Sequence, residues 1–163
     1  GIFRIAKRLV EPINYAITIL NPYVQNQLSR EDKDINFKDL IKNFLIPLIF
    51  VLTISYLSFG KNFIDFLSGK EFIEAYYPML ILLIGYCTYL ATFWIRQLLL
   101  FNDLLQHHVV SKVISTVSFL VFSYFFVNQY GASGLAIALS ISMILQKVYE
   151  FYIFNKFTKQ TNK

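Results

Sequence analysis

The sequence predicts an all-α, polytopic helical membrane protein with about five spanning helices. Three observations lead there. Four apolar runs, at roughly 40–59, 77–101, 109–127 and 135–154, are each long enough to cross a bilayer, which takes about 20 mostly apolar residues. Hydrophobic residues make up 56% of the 163 positions and charged ones only 15%, whereas soluble domains sit nearer about 25% charged. The runs also leave no room for an extramembrane domain of useful size, so residues 1–163 read as a single membrane domain.

The first helix is expected over about 2–28, with Pro12 and Pro22 inside it, which membrane helices tolerate. A charged linker follows, from Ser29 to Asp39, containing Arg30, Glu31, Asp32, Lys33, Asp34 and Lys38. The second helix is expected over 40–59, with Pro47 in its first half. Gly60 to Tyr76 reads as a loop with a short amphipathic turn. Pro78 then opens the third helix, 77–101, in the position that proline prefers. Asn102 to His108 links it to the fourth helix, 109–127. A tight turn with Gly131 leads to the fifth, 134–155. The chain begins at Gly1 with residues that already look helical and carries no signal peptide, so a missing N-terminal portion is expected.

Several chemistries are excluded. The net charge of +5 does not point to nucleic acid, because the basic residues flank spans instead of forming a soluble patch. Cys87 is the single cysteine and reads as a small buried hydrophobe, so no disulfide is expected. His107 and His108 are adjacent, with no cysteine or carboxylate at metal-ligand spacing and only Asp103 nearby. No phosphate-binding glycine loop or nucleophile elbow is present. No catalytic residue, metal ligand or cofactor is therefore expected.

Loop charges give an orientation, since cytoplasmic loops collect Lys and Arg. Arg30, Lys33, Lys38 and Lys42 mark the linker, Lys112 flanks the 102–108 link, and Lys156, Lys159 and Lys163 mark the tail. On the other side Lys61 and Lys70 are offset by Asp65, Glu71 and Glu74. The chain is thus expected to start outside and end in the cytoplasm. Arg4, Lys7 and Arg8 conflict with this, because they fall near the outer end of the first helix.

Spacing explains the conflict. Arg4, Lys7, Arg8, Glu11, Asn14, Tyr15, Thr18, Asn21 and Gln25 recur at steps of three and four, forming one polar stripe along a helix. Ile2, Ile5, Leu9, Ile13, Ala16, Ile17, Leu20 and Val24 form the opposite, apolar face. A charge at the centre of a span costs about 2.5–3.5 kcal/mol, so such a stripe avoids lipid. It lines a water-filled cavity or packs against partner helices, lies flat on the membrane surface, or supplies headgroup anchors at a helix end. Glu11 can pair with Lys7 or Arg8, which leaves a cationic surplus suited to a phosphate or diphosphate. Arg96, after a long apolar run, either faces the same cavity or snorkels to the headgroups beside Gln97 and Asp103. Lys147 and Glu150, three apart, look like an intrahelical pair near the inner interface.

Four stretches carry a family resemblance. Gly1-Ile2-Phe3-Arg4-Ile5-Ala6-Lys7-Arg8-Leu9 followed by Pro22 looks like the eighth helix of bacterial polysaccharide (O-antigen type) flippases. These belong to the multidrug/oligosaccharidyl-lipid/polysaccharide exporter superfamily. Phe66-Leu67-Ser68-Gly69-Lys70-Glu71-Phe72, then Ala75, looks like the loop after the ninth. Gln97-Leu98-Leu99-Leu100 resembles the end of the tenth, and Tyr130-Gly131-Ala132-Ser133-Gly134-Leu135-Ala136-Ile137-Ala138 the turn into the twelfth. The resemblance implies five helices of a twelve-helix transporter built from two bundles around a central cavity in the bacterial inner membrane. The cargo it implies is an undecaprenyl-diphosphate-linked oligosaccharide, moved from the cytoplasmic to the periplasmic leaflet for surface polysaccharide biosynthesis.

On that reading Arg8, then Arg4 and Lys7, attract the diphosphate headgroup. Asn14, Thr18 and Asn21 offer hydrogen bonds to sugar hydroxyls, with Glu11 and Arg96 completing the substrate-binding set. The partners are the lipid-linked oligosaccharide, membrane lipids and the missing N-terminal helices of the same protein, with no nucleic acid. The rival readings are a drug/cation antiporter of the same superfamily, for which only Glu11 supplies an acid, and a membrane-embedded transferase, whose carboxylate or histidine cluster is lacking. A small non-transporting scaffold is the third.

Overall fold

The structure is a computed structural model and describes residues 1–29 and 41–161. The described residues are almost entirely helical and contain no strand. Of the linker expected from Ser29 to Asp39, Ser29 is helical and the rest lies outside the described residues, as do the tail residue Lys163 and the first residue of the helix expected at 40–59.

Helices α1 (Ile2–Val10) and α2 (Pro12–Ser29) divide at Glu11. Pro12 has no N–H, so the helical bond to the Arg8 carbonyl is lost there. The axis is interrupted but not turned aside, because Glu11 keeps helical angles of φ −54° and ψ −33°. The Leu9 carbonyl at this break accepts a 2.6 Å bond from the Tyr56 hydroxyl, which fastens it to the next long helix. Pro22 lies inside α2 without ending it.

A π-helical turn, Ile41–Leu45, leads into α3 (Ile46–Ser68), which carries Pro47 in its first turn. The helix does not stop at Gly60, where a loop was expected, but runs on to Ser68. Gly60 is a packing residue here, since a Cβ on it would fall 2.7 Å from Met79 Cε. The real stop is Gly69, whose φ of 93° a side chain would oppose. A 3₁₀ turn, Lys70–Ala75, then reverses the chain into α4 (Tyr76–Ala91). The Tyr76 hydroxyl donates to the Leu57 carbonyl at 3.2 Å, and Lys61 Nζ sits 5.2 Å from the Tyr76 ring.

Thr92, with φ −119° and ψ 9°, separates α4 from α5 (Phe93–Phe101). The last helix, α6 (Leu105–Thr161), is broken at Gly131, where φ is 52° and ψ −121°. Run straight, its 57 residues would extend about 85 Å, far beyond a bilayer. It folds back instead. His107 meets Tyr149, His108 and Ser111 meet Glu150, and Lys112 meets Gln146, so the limbs 105–130 and 132–161 run antiparallel. Gly134 makes the turn possible, because a Cβ there would strike the Phe126 carbonyl.

Three helical stretches, Asn43–Ser68, Lys70–Phe101 and Leu105–Thr158, are long and apolar enough to cross a membrane, the last being two helices joined at the kink. This is an all-α chain of membrane-protein character. Its centre is α4. Half of the most apolar window of Lys70–Phe101 is buried, against 11% for Asn43–Ser68 and 6% for Leu105–Thr158. Met79, Leu82, Leu83, Tyr86 and Leu90 of α4 pack on Ala6, Leu9, Val10, Ile13 and Ile17 of α1 and α2 on one side. On another side Gly85 lies against Ser140, whose hydroxyl donates to the Ile81 carbonyl at 2.8 Å. Small residues that let backbones approach are what hold helices together in lipid.

The first two helices run parallel to α4 and α5 along their full length. α1 touches the 3₁₀ turn that precedes α4, and α2 touches α5 at the other end. This places Arg8 and Asn21, thirteen residues apart, about 20 Å from each other along the unit.

A Cβ on Gly85 would fall 2.9 Å from the Ser140 backbone. Gly85→Val is therefore expected to cost about 1–3 kcal/mol, read as a lowered melting temperature in detergent. Ile84→Val, on a 62% exposed side chain beside it, serves as the comparison and is expected to change little. Equal melting temperatures for the two variants would refute the close α4–α6 contact.

Candidate functional site

The polar stripe of α1 and α2 keeps its helical register in the fold. Leu9, Ile13, Ile17 and Val24, from the apolar face, are buried, with Ala6 and Val10 beside them. Arg4, Lys7, Arg8 and Thr18 are exposed, and Glu11, Asn14 and Asn21 are partly covered. The cations thus stand together on an uncovered face whose reverse is welded into the core. Arg8 also lines a cavity of about 310 Å³ with Ile5, Leu9, Leu67 and Ser68, between α1 and the end of α3. Thr18 returns its hydroxyl to the Asn14 carbonyl at 2.9 Å, and Asn14 and Glu11 lie towards the Tyr86 hydroxyl.

Asn21 belongs to a different arrangement. Gln97, 4% exposed, donates to Asn21 Oδ1 at 2.8 Å and accepts from Gln25 Nε2 at 3.1 Å. This amide ladder joins α2 to α5. It also fixes the depth of Arg96, the neighbour of Gln97. Arg96 lies at the level of Asn21 and Gln25, about 20 Å from Arg8, so the fold does not bring it to the head of the stripe.

Around Arg96 the fold builds a second polar centre. Glu150 is fully buried, yet every part of its carboxylate is engaged. Oε2 accepts from Lys147 Nζ at 2.7 Å. Oε1 accepts from Gln146 Nε2 at 3.0 Å, and Ser111 Oγ lies 2.8 Å away. His108 Nδ1 lies 3.3 Å from the same oxygen and donates to it when it carries the proton. Lys147, 2% exposed, also sits over the Tyr89 ring, 4.1 Å from its centroid. Lys112 reaches the edge of this group at Gln146 Oε1, 3.5 Å away, and faces the same ring at 5.8 Å. α5 packs on the same stretch of α6, with Ile95 and Leu99 clustered against Ile153 and with Tyr149 and Phe154 beside them, which brings Arg96 to the edge of this group.

The expected intrahelical Lys147–Glu150 pair is present, and it is the buried heart of a network between both limbs of α6. Ser111 is a member that the sequence did not single out, and His108 was weighed there only as a metal ligand. Their partners lie about forty positions away, and nothing local announces such a pairing. His107, beside Tyr149 at 3.1 Å, flanks the group. No cluster able to hold a metal exists among the described residues.

A buried charge is tolerated when it is paired and fully hydrogen-bonded, and removing one partner is strongly destabilising. Glu150→Gln leaves Lys147 buried without its carboxylate. It is expected to lose about 3 kcal/mol or more, measured by unfolding in detergent. Replacing Lys147 by Met in the same chain should recover part of that loss, since the stranded charge is then gone. A Glu150→Gln protein as stable as the parent would show that the pair carries no such weight.

No protein-family model matches the chain, and no curated protein or solved structure matches it.

Proposed function

We propose that this chain is the C-terminal part of a polysaccharide-type flippase. It moves an undecaprenyl-diphosphate-linked oligosaccharide from the cytoplasmic to the periplasmic leaflet of the bacterial inner membrane. Its five spans belong to a twelve-helix, two-bundle transporter, with the first span starting outside and the last ending in the cytoplasm. The observation that carries this reading is the uncovered cationic face of α1, backed by a buried apolar face.

Two further features favour it over the readings of that face as a surface helix or as headgroup anchors. A helix lying flat on a membrane needs a free apolar face to insert, and here that face is occupied by α4. The α1–α2 unit also runs parallel to the core helices from one end to the other, the course of a span. Its polar side then requires either water or partner helices. A water-filled cavity shared with further helices of the same protein satisfies that requirement. Arg8 lines a recess on the same side.

In this mechanism Arg8, with Arg4 and Lys7, attracts the diphosphate. Guanidinium groups suit phosphate oxygens because they present paired donors in one plane. Asn14 and Thr18 offer hydrogen bonds to sugar further along the stripe. The drug/cation antiporter reading has only Glu11 to bind a cation, among three neighbouring positive charges, and nothing in the fold favours it.

The test is complementation in a strain lacking its own flippase, with the full gene carrying Arg8→Ala. Loss of one charged donor to phosphate is expected to reduce surface polysaccharide about tenfold or more, while the protein still inserts in the membrane. Arg8→Lys is expected to retain an intermediate level. Parental polysaccharide levels in the Arg8→Ala strain would sink the assignment.

A further inference from the structure

The centre around Glu150 holds more positive charge than its carboxylate can neutralise. Glu150 is the only acid in it among the described residues, and Lys147 takes that charge at 2.7 Å. Arg96 and Lys112 remain. Among the described residues neither makes an ion pair with a carboxylate; Lys112 has only the long contact to Gln146 Oε1, and the Arg96 Nε is buried with no hydrogen-bond partner. An unmatched charge in an apolar surround is expensive, and such groups pair, reach water or mark a binding path.

The geometry says from which side the missing acceptor comes. Lys147, Gln146 and Glu150 close the back of the centre and are each 2% exposed or less. Lys112 is exposed and Arg96 partly so, which leaves the front open at these two side chains. The front also has a definite depth. Arg96 lies five residues before the end of α5 at Phe101, and Lys112 seven after the start of α6 at Leu105. That is about 7–10 Å in from the helix ends. A bilayer has roughly 5–8 Å of headgroup region on each side of its hydrocarbon core, so with these helix ends set at its outer edge the opening falls within reach of lipid phosphates.

We propose that Arg96 and Lys112 form a binding site for an anionic phosphate group, held from behind by the Lys147–Glu150 pair. The ligand class is a phosphate monoanion, delivered either by the headgroup of an anionic lipid or as free phosphate. The guanidinium supplies planar, paired donors and the ammonium a mobile point charge, a combination suited to phosphate oxygens. Basic recesses between membrane helices are known to hold anionic headgroups in this way. The site lies about 20 Å from Arg8, so it stands or falls independently of the flippase reading.

The test uses the protein purified at its native length and placed in nanodiscs of phosphatidylcholine, with or without phosphatidylglycerol. A second arm adds inorganic phosphate in place of chloride at matched ionic strength. Phosphatidylglycerol is expected to raise the melting temperature by about 3 °C. Lys112→Gln and Arg96→Gln should each lose most of that rise. Lys156→Gln, an exposed cation nearer the C-terminal end, should keep it. The Lys112 side chain is exposed, so its variant stays informative even if the Arg96 variant folds poorly. A rise given by inorganic phosphate alone, and lost in Lys112→Gln, would assign the site to the free ion. No rise with either probe, or a rise undiminished in Lys112→Gln, overturns the proposal and leaves both cations as interfacial snorkelers.

Discussion

Hydrocarbon offers no hydrogen-bond partner, and the placement of polar side chains in this protein follows from how each type meets that constraint. Threonine hydroxyls meet it locally. Thr18, Thr53, Thr88, Thr92 and Thr116 each donate to the carbonyl four residues back, at 2.7–3.0 Å, so none needs a partner from another helix. Amides have too many donors and acceptors for that solution. Gln97 must therefore face α2, where Asn21 and Gln25 complete it. The demand for partners fixes the azimuth of α5 as firmly as apolar packing does. Charges are the extreme case. Glu150 draws donors from both limbs of α6, and the antiparallel pairing of those limbs is locked in register by the carboxylate they share.

The two cationic regions meet the same constraint in opposite ways. At Glu150 the polar groups are gathered inside, and the apolar residues around them face out to the surroundings. On α1 the apolar residues are gathered inside, and Arg4, Lys7 and Arg8 are left on the open side. The Lys147–Glu150 pair is satisfied from within and ties the two limbs of α6 together, while the cations of α1 have no such buried counterpart.

How much of this the sequence revealed depends on the range of each interaction. The two faces of α1 and α2 were legible, because helical periodicity is written in residues three and four apart. So was the Lys147–Glu150 pair, for the same reason. The end of α3 was misread. Gly60 with Lys61, Asn62 and Asp65 looks like the start of a loop, but the glycine serves a contact with Met79 that no local pattern encodes. The His108–Ser111–Glu150 group was invisible, since its members come together only after α6 folds back at Gly131. Arg96 was singled out as a charge after a long apolar run, either facing the cavity or snorkelling. Its depth relative to Arg8 emerged only from the Gln97–Asn21 bond, which aligns α5 with the far end of α2.

That alignment carries the last step. Because α1–α2 and α4–α5 run parallel, the chain sets its two groups of cations at opposite ends of one helical unit, about 20 Å apart. A single bound phosphate spans only a few ångströms and cannot engage both. Lys112 is exposed while Gln146, Lys147 and Glu150 behind it are buried, so the charges near Arg96 are reached from one side only, and the cations of α1 stand apart from them on the stripe.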